Sequence, residues 1–170
     1  MANEEQFNLI KQGVEKWNKW RKGNADIKPD LSECDLRQAN LQKFNLSYAN
    51  LNKSKLQFSN MAGANLKEAT LKKAKLQEAN LQSTNLQKAN LSGAGMFEIN
   101  LQYADLENAN LEGAQFSEDV LFNQTNLKGA NLSGTTGLSS SQLDLAITDK
   151  HTSLPDYLEE EVDDDFLMQM

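Results

Sequence analysis

Apolar residues recur along this chain at steps of five. Leu31, Leu36, Leu41, Leu46, Leu51 and Leu56 begin a series that runs unbroken to Phe116, giving 18 units. One extra residue follows, and the series resumes at Phe122, Leu127 and Leu132. Of these 21 centres 17 are Leu, the others being Met61, Met96, Phe116 and Phe122. Two residues before each centre the side chain is small: 17 of 21 are Ala, Ser, Thr or Cys, as at Ala39, Ala49, Ser54, Ala64 and Thr84. The residue between is Asn 12 times, including Asn40, Asn45, Asn50, Asn80 and Asn131. The unit reads Ala-Asn-Leu-x-x.

A period of five matches neither a helix face nor the alternation of a strand. It suits a chain that turns a corner in every unit. The small residue and the centre point inward, the residue between them points outward, and the next two turn the chain. Asn suits such turns because its side chain bonds nearby backbone and tolerates unusual backbone angles. Composition agrees. Hydrophobic residues make up 39% of the chain and aromatics 7%, too few for a layered globule but enough for a thin core of one repeated aliphatic side chain.

The unit resembles the pentapeptide-repeat family, whose pattern is small/Asp-or-Asn/Leu/x/x, and the resemblance covers about 60% of the chain. Trp-Asn-Lys-Trp-Arg at 17–21, followed by Ile-Lys-Pro-Asp-Leu at 27–31, is similar to cyanobacterial members. The resemblance implies an all-β solenoid, a right-handed quadrilateral β-helix with 20 residues per coil. Residues 29–134 then form about five coils, roughly 25 Å of rod at β-strand spacing. On this register Leu31, Leu51, Leu71, Leu91, Leu111 and Leu132 stack on face one, and Leu46, Leu66, Leu86, Leu106 and Leu127 on face four. Face two ends in Met96 and Phe116, and face three in Leu101 and Phe122. Ile99 and Val120, both oversized for the small position, stack directly if Asp119 is an inserted residue bulging near a corner. Phe44, the other large exception, is placed to close the first coil.

A solenoid exposes its core at both ends and needs caps. Residues 1–28 are read as an N-terminal capping helix over Glu4 to Lys22, with an Asn3–Gln6 capping box, Phe7, Ile10, Val14 and Trp17 on one face, and Gly23-Asn24 as its stop. Residues 135–157 are read as a C-terminal cap in which Ser139 and Gln142 open a short helix to about Ile147. Leu143, with Ala146 or Ile147, then closes the last coil. Residues 158–170 read as a flexible acidic tail that ends in an apolar anchor, Phe166, Leu167 and Met168.

Charge changes this picture by its location. The net charge of −7 gathers at the C-terminal end, where residues 135–170 hold nine acids against one base. Residues 29–88 hold nine bases against five acids, and residues 89–134 one base against six acids. On the basic coils Lys53 stacks under Lys73 and Lys55 under Lys75, with Lys72 beside them. Phe58 and Phe97 take outward positions of face two, and Tyr48 and Tyr103 other turns.

Candidate chemistry is sparse. The one histidine, His151, stands apart, and the one cysteine, Cys34, falls at an inward small position. Glu68, Glu78 and Glu98 lie on outward positions. No motif for a metal, a cofactor or a phosphate is present, so the chain reads as a non-enzyme with no cofactor and no small-molecule substrate. No signal-peptide or membrane-spanning pattern occurs, which predicts a cytoplasmic chain with no membrane contact.

The function expected is a non-catalytic interaction or regulatory scaffold that presents flat faces to an unidentified protein partner. Its candidate surface is Lys53, Lys55, Lys72, Lys73, Lys75, Phe58 and Phe97. Family members that regulate development in filamentous cyanobacteria fit this class. One alternative is mimicry of DNA toward a protein such as gyrase, as in members that confer fluoroquinolone resistance. Duplex DNA carries about one charge per 1.7 Å, and a rod with a basic first half does not match that. Direct nucleic-acid binding is not expected. The other alternative is a structural module whose acidic tail, extending roughly 40 Å, docks on its own lysines. The chain is expected to be monomeric or weakly self-associating.

Overall fold

The structure, a computed structural model, describes residues 2–158. From Asp30 to Gly95, each residue before a centre pairs in parallel with the residue twenty further on: Asp30 with Asn50, Asp35 with Lys55, Asn40 with Asn60, Asn45 with Asn65. Four units therefore close one turn of a β-helix. Its rungs are single bridge residues because every fifth residue already begins a corner. Each bridge is held from both sides. At the Asn50–Thr70 bridge the Leu51 N–H donates to the Thr70 carbonyl (2.7 Å), while the Thr70 N–H donates back to Ala49 (2.9 Å).

The inward positions are as the spacing implies. Leu31, Leu51, Leu71, Leu91, Leu111 and Leu132 are fully buried, and so are the face-four leucines. Each such side chain contributes roughly 1.5–3 kcal/mol of burial. Small residues between the ladders leave room for them. Where the small residue carries a hydroxyl, it finds a carbonyl: Ser54 Oγ donates to Leu51 (2.7 Å) and Thr125 Oγ1 to Leu101 (2.7 Å).

The corners correct one expectation. Each is a tight turn in which the residue three past the centre donates back to it, as Ala64 N–H does to Met61 (2.9 Å). The residue two past the centre takes φ near +60°, and at 15 corners it is not glycine, from Glu33 to Gln124. The Asn that precedes each centre is not the residue in the unusual conformation, although Asn108 takes it at a corner. That preceding Asn sits on the bridge, and its Oδ1 accepts the N–H two residues on, as from Asn80 to Gln82 (3.0 Å). A non-glycine left-handed residue costs about 1–2 kcal/mol. The ladder fixes it, because its own N–H donates to the next coil, as Lys53 does to Lys72 (2.9 Å).

The register break lies where the spacing puts it. Gly95 pairs with Gln115, twenty on, but Asn100 pairs with Leu121, twenty-one on. The extra length is taken up in a turn from Ser117 to Val120 (N–H to carbonyl 3.2 Å), which holds Asp119 at its exposed corner. Leu121 N–H donates to Ile99 (3.2 Å), so Val120 does follow Ile99 in the stack. Gln142 Nε2 reaches the Ser117 (3.3 Å) and Glu118 (2.7 Å) carbonyls of the irregular turn.

The ends differ from expectation in three ways. The single helix over Glu4 to Lys22 is two: α1 (Glu4–Ile10) and α2 (Val14–Gly23), broken at Gly13 with φ 100°. The break lets two short helices address two faces of the first coil. Second, the capping box at Asn3 forms only by half. Asn3 accepts from Gln6 N–H (3.0 Å), but Gln6 Oε1 turns to the Asp30 N–H (2.7 Å). Third, the ladder does not stop at Gly134. Thr136 pairs with Gln115, Ile147 with Asn126 and Ser153 with Asn131, through residues that lack the repeat. Consequently α3 is only Ser140–Leu143, with the Ser139–Gln142 capping box intact, and Ile147 is a rung and not the end of a helix. Leu158, placed above in the tail, is buried. Residues 159–170, including Phe166, Leu167 and Met168, lie outside the described residues.

Candidate interaction surface on face two

Face two and its two corners gather the lysines and phenylalanines of the candidate surface. Asp35, Lys55, Lys75, Gly95 and Gln115 follow one another as consecutive rungs on its outer side. The corner before it carries Lys53, Lys72 and Lys73, and the corner after it carries Phe58 and Phe97, all of them exposed. The two aromatics sit two coils apart, about 10 Å along the rod.

The charges on this face are unequally satisfied. In the first coil Arg37 grips Asp35 through Nη2 (2.6 Å) and Nε (2.8 Å). Lys53 Nζ lies 3.7 Å from Glu33. Among the described residues Lys55, Lys72, Lys73 and Lys75 form no ion pair. Like charges on successive rungs repel, though solvent moderates this. The unpaired cations are thus concentrated on the second and third coils.

Beside them the surface is hollow. Lys73, Lys75, Gln77, Gly93, Gly95 and Phe97 line an open cleft of about 370 Å³. The glycines make the hollow, and their neighbours lie over it. The Phe97 ring comes within 3.7 Å of where a Gly95 side chain would start, and the Lys73 stem within 3.4 Å of the same point on Gly93. Phe97, 39% exposed, thus rests partly on the rod at Gly95. Phe58 lies apart, beside Asp35, Arg37 and Gln38. The glycines are the signal that sequence reading passed over. Gly93 and Gly95 interrupt the two lysine columns in the coil where Phe97 appears.

The Arg37 hydrogen bond, helped by the Arg37 backbone N–H and the Arg37 and Lys55 charges, holds the Asp35 carboxyl at about 2, below its ordinary 3.8. Because the folded value is the lower one, what this pair adds to stability is present above pH 3.8 and lost as pH falls through 2. Carboxyl-carbon NMR is expected to show a midpoint near 2 for Asp35 and a return toward 3.8 in Arg37→Gln. An unchanged midpoint in that variant would contradict the pairing.

Cys34 is buried on the inner side, and burial raises its thiol. His151 is exposed, and its backbone N–H donates to Asp149 Oδ1 (3.0 Å).

A family model described as pentapeptide repeats matches residues 30–67, 64–94 and 96–118, in eight copies. The chain belongs to the pentapeptide repeat family. Family members fold as right-handed quadrilateral β-helices, which is what the twenty-residue pairing step builds here. A pentapeptide repeat protein from the Arabidopsis thaliana thylakoid lumen is 31% identical, with a TM-score of 0.61 over 63% of this chain and 73% of that one. Rfr23, from the cyanobacterium Cyanothece, is 27% identical over 81% of this chain and 97% of that one, with a TM-score of 0.34. HetL, from the cyanobacterium Nostoc and involved in heterocyst differentiation regulation, is 26% identical over 81% and 79%, with a TM-score of 0.30. No curated protein matches the chain by sequence. Among the described residues no helix is long and apolar enough to cross a membrane.

Proposed function

We propose that this pentapeptide repeat protein is a non-catalytic interaction module: a rod of about five coils, capped by α1 and α2 at one end and by residues 135–158 at the other, that presents face two to an acidic protein partner. The observation that carries this reading is the cleft in which unpaired Lys73 and Lys75 flank the partly exposed ring of Phe97. A rigid aromatic beside uncompensated cations offers a partner both an anchor and a charge to neutralise. The bridges on both sides fix the backbone that carries these groups, so their spacing is set before a partner arrives. The DNA-mimic alternative draws no support from this face, which is basic where duplex DNA is uniformly negative.

The test is comparative capture from the source cell extract, followed by measured affinity for the captured protein. Phe97→Ala and the double variant Lys73→Glu/Lys75→Glu are each expected to weaken binding about tenfold or more. Tyr103→Ala, on another corner, serves as the control and is expected to bind as wild type. Equal binding by all four proteins would remove face two as the interface.

A further inference from the structure

The N-terminal end of the rod is only half closed. On faces one and four the two helices take the place of a preceding coil. Asp30 gives its N–H to Gln6 Oε1 (2.7 Å), and its carbonyl accepts from Asn3 N–H (2.9 Å). Asn45 gives its N–H to Asn18 Oδ1 (2.8 Å), and its carbonyl accepts from Trp17 Nε1 (2.8 Å). The first rungs of faces two and three are Asp35 and Asn40, and both are exposed. Among the described residues neither their backbone N–H groups nor their carbonyls make a hydrogen bond. Every later rung on those faces, from Lys55 to Gln115 and from Asn60 to Asn100, is bonded through both. Beside this bare edge lies an open pocket of about 760 Å³. Leu36, Leu41 and Phe44 of the first coil and Ile10 and Val14 of the helices supply its apolar wall. Lys11 and Lys43 also line it, and neither forms an ion pair among the described residues. Lys11 Nζ rests over the Phe7 ring (3.7 Å).

The chemistry of this end specifies what fits it. Backbone donors and acceptors at ladder spacing are satisfied by another main chain, the mode in which an extended segment adds to a sheet edge. Within the rod each rung gives its N–H to the residue before its neighbour and accepts from the residue after it, as Thr70 does with Ala49 (2.9 Å) and Leu51 (2.7 Å). A segment that serves Asp35 in this way turns the residues on either side of its pairing residue inward, over Cys34 and Leu36. Five residues on, it serves Asn40 and reaches Ala39 and Leu41. It therefore carries a small and a large apolar residue around each pairing residue. The unpaired Lys43 and Lys11 favour acidic side chains at its corners. Two copies of this chain joined at this end would instead set these lysines against each other.

We infer that the open half of the N-terminal end is a docking site for an extended segment of a partner protein, apolar on its inward side and acidic at its corners. The segment adds its main chain to Asp35 and Asn40 as half of one further coil and seats its apolar side chains against Leu36, Leu41 and Phe44. This goes beyond the reading of face two. The rung beside Phe97, Gly95, lies three rungs from Asp35, about 14 Å along the rod, and the recognition here is by backbone and not by an aromatic anchor.

The probe is a synthetic peptide, blocked at both ends, with the sequence of residues 109–118, Ala-Asn-Leu-Glu-Gly-Ala-Gln-Phe-Ser-Glu. In coil register it sets its Asn at Asp35, its Gln at Asn40, its Leu and Phe over Leu36 and Leu41, and its last Glu beside Lys43. It is added to the full chain and read by NMR. Amide exchange at Asp35 and Asn40 is expected to slow about tenfold or more at saturation. Methyl shifts are expected at Ile10, Leu36 and Leu41, and none at Leu138 or Leu143 at the far end. No slowing at millimolar peptide, or shifts confined to the far end or to the Phe97 cleft, overturns the proposal. A peptide N-methylated at its Leu and Phe lacks the N–H groups that reach the Asp35 and Asn40 carbonyls. It is expected not to bind, and affinity equal to the parent would refute main-chain pairing. Lys43→Glu is expected to weaken the parent peptide about fivefold, and unchanged affinity would overturn the acidic character assigned to the partner. Sedimentation of the chain alone is expected to show no association through this end. Association that the peptide reverses would make a second copy the occupant and overturn the reading. Phe97→Ala is expected to bind the peptide as wild type does, so this reading and that of face two fail separately.

Discussion

Trp17→Ala is expected to remove about 3–5 kcal/mol from the N-terminal part of the rod. Trp17 is the largest fully buried side chain, and it does three things at once. Its ring covers the first coil beside Phe44 (6.4 Å between ring centres). It holds Trp20 against the same surface (5.2 Å). Its Nε1–H satisfies the Asn45 carbonyl, which otherwise faces the end of the rod without a coil to pair with. Stability in a stacked-coil protein is a sum of neighbouring terms, so the damage should be graded along the axis. Hydrogen exchange is the measurement. Amides of residues 31–49 should lose protection in Trp17→Ala, while those of residues 91–110 keep theirs. Equal loss along the whole rod would mean that the molecule unfolds as one unit and that the end has no separate stability.

At the other end Gly137→Ala is expected to cost about 3 kcal/mol, by a different mechanism. Gly137 has φ +79°, which alanine adopts only at a cost. Its side chain would also start 2.2 Å from the Phe116 carbonyl oxygen and 2.8 Å from its carbon, backbone atoms already fixed by the ladder. Gly113→Ala is the control. It has nearly the same angle, φ +65°, and nothing within 4 Å, so only the conformational cost of about 1–2 kcal/mol applies. The difference between the two melting shifts isolates the close approach. Equal shifts would show that the last turn moves freely, and that α3 and Leu138 do not hold it in place.

The interior of this protein was legible from spacing, and the ends were not, for a physical reason. A centre such as Leu81 meets the same neighbours in every coil, so the period states its environment. Even the irregularity at Ser117–Val120 announces itself as a slip of one residue in a long series. The ends meet no repeated neighbour. Gln6 left its expected capping role because the Asp30 N–H needs an acceptor that only three-dimensional proximity reveals. Ile147 and Ser153 became rungs through the hydrogen bonds of their backbone, which no side-chain pattern records. The left-handed corners were hidden for a similar reason. Lys73, Glu78 and Tyr103 show no local preference for that geometry, and the adjoining coils impose it. On the candidate surface the lysine columns and Phe97 were visible as positions in the period. The hollow between them was not, because it is formed by Gly93 and Gly95, residues whose contribution is the absence of a side chain.

The twenty-residue pairing step has a consequence for how such a chain can change over generations. Gain or loss of one whole coil alters the length by about 4.8 Å and returns every later side chain to the direction it had. Gain or loss of a single five-residue unit leaves the interior equally well filled but swings everything downstream by a quarter turn. A surface made of two columns of lysines and one aromatic could therefore be re-aimed relative to its end cap in a single genetic step, with no substitution in the columns themselves.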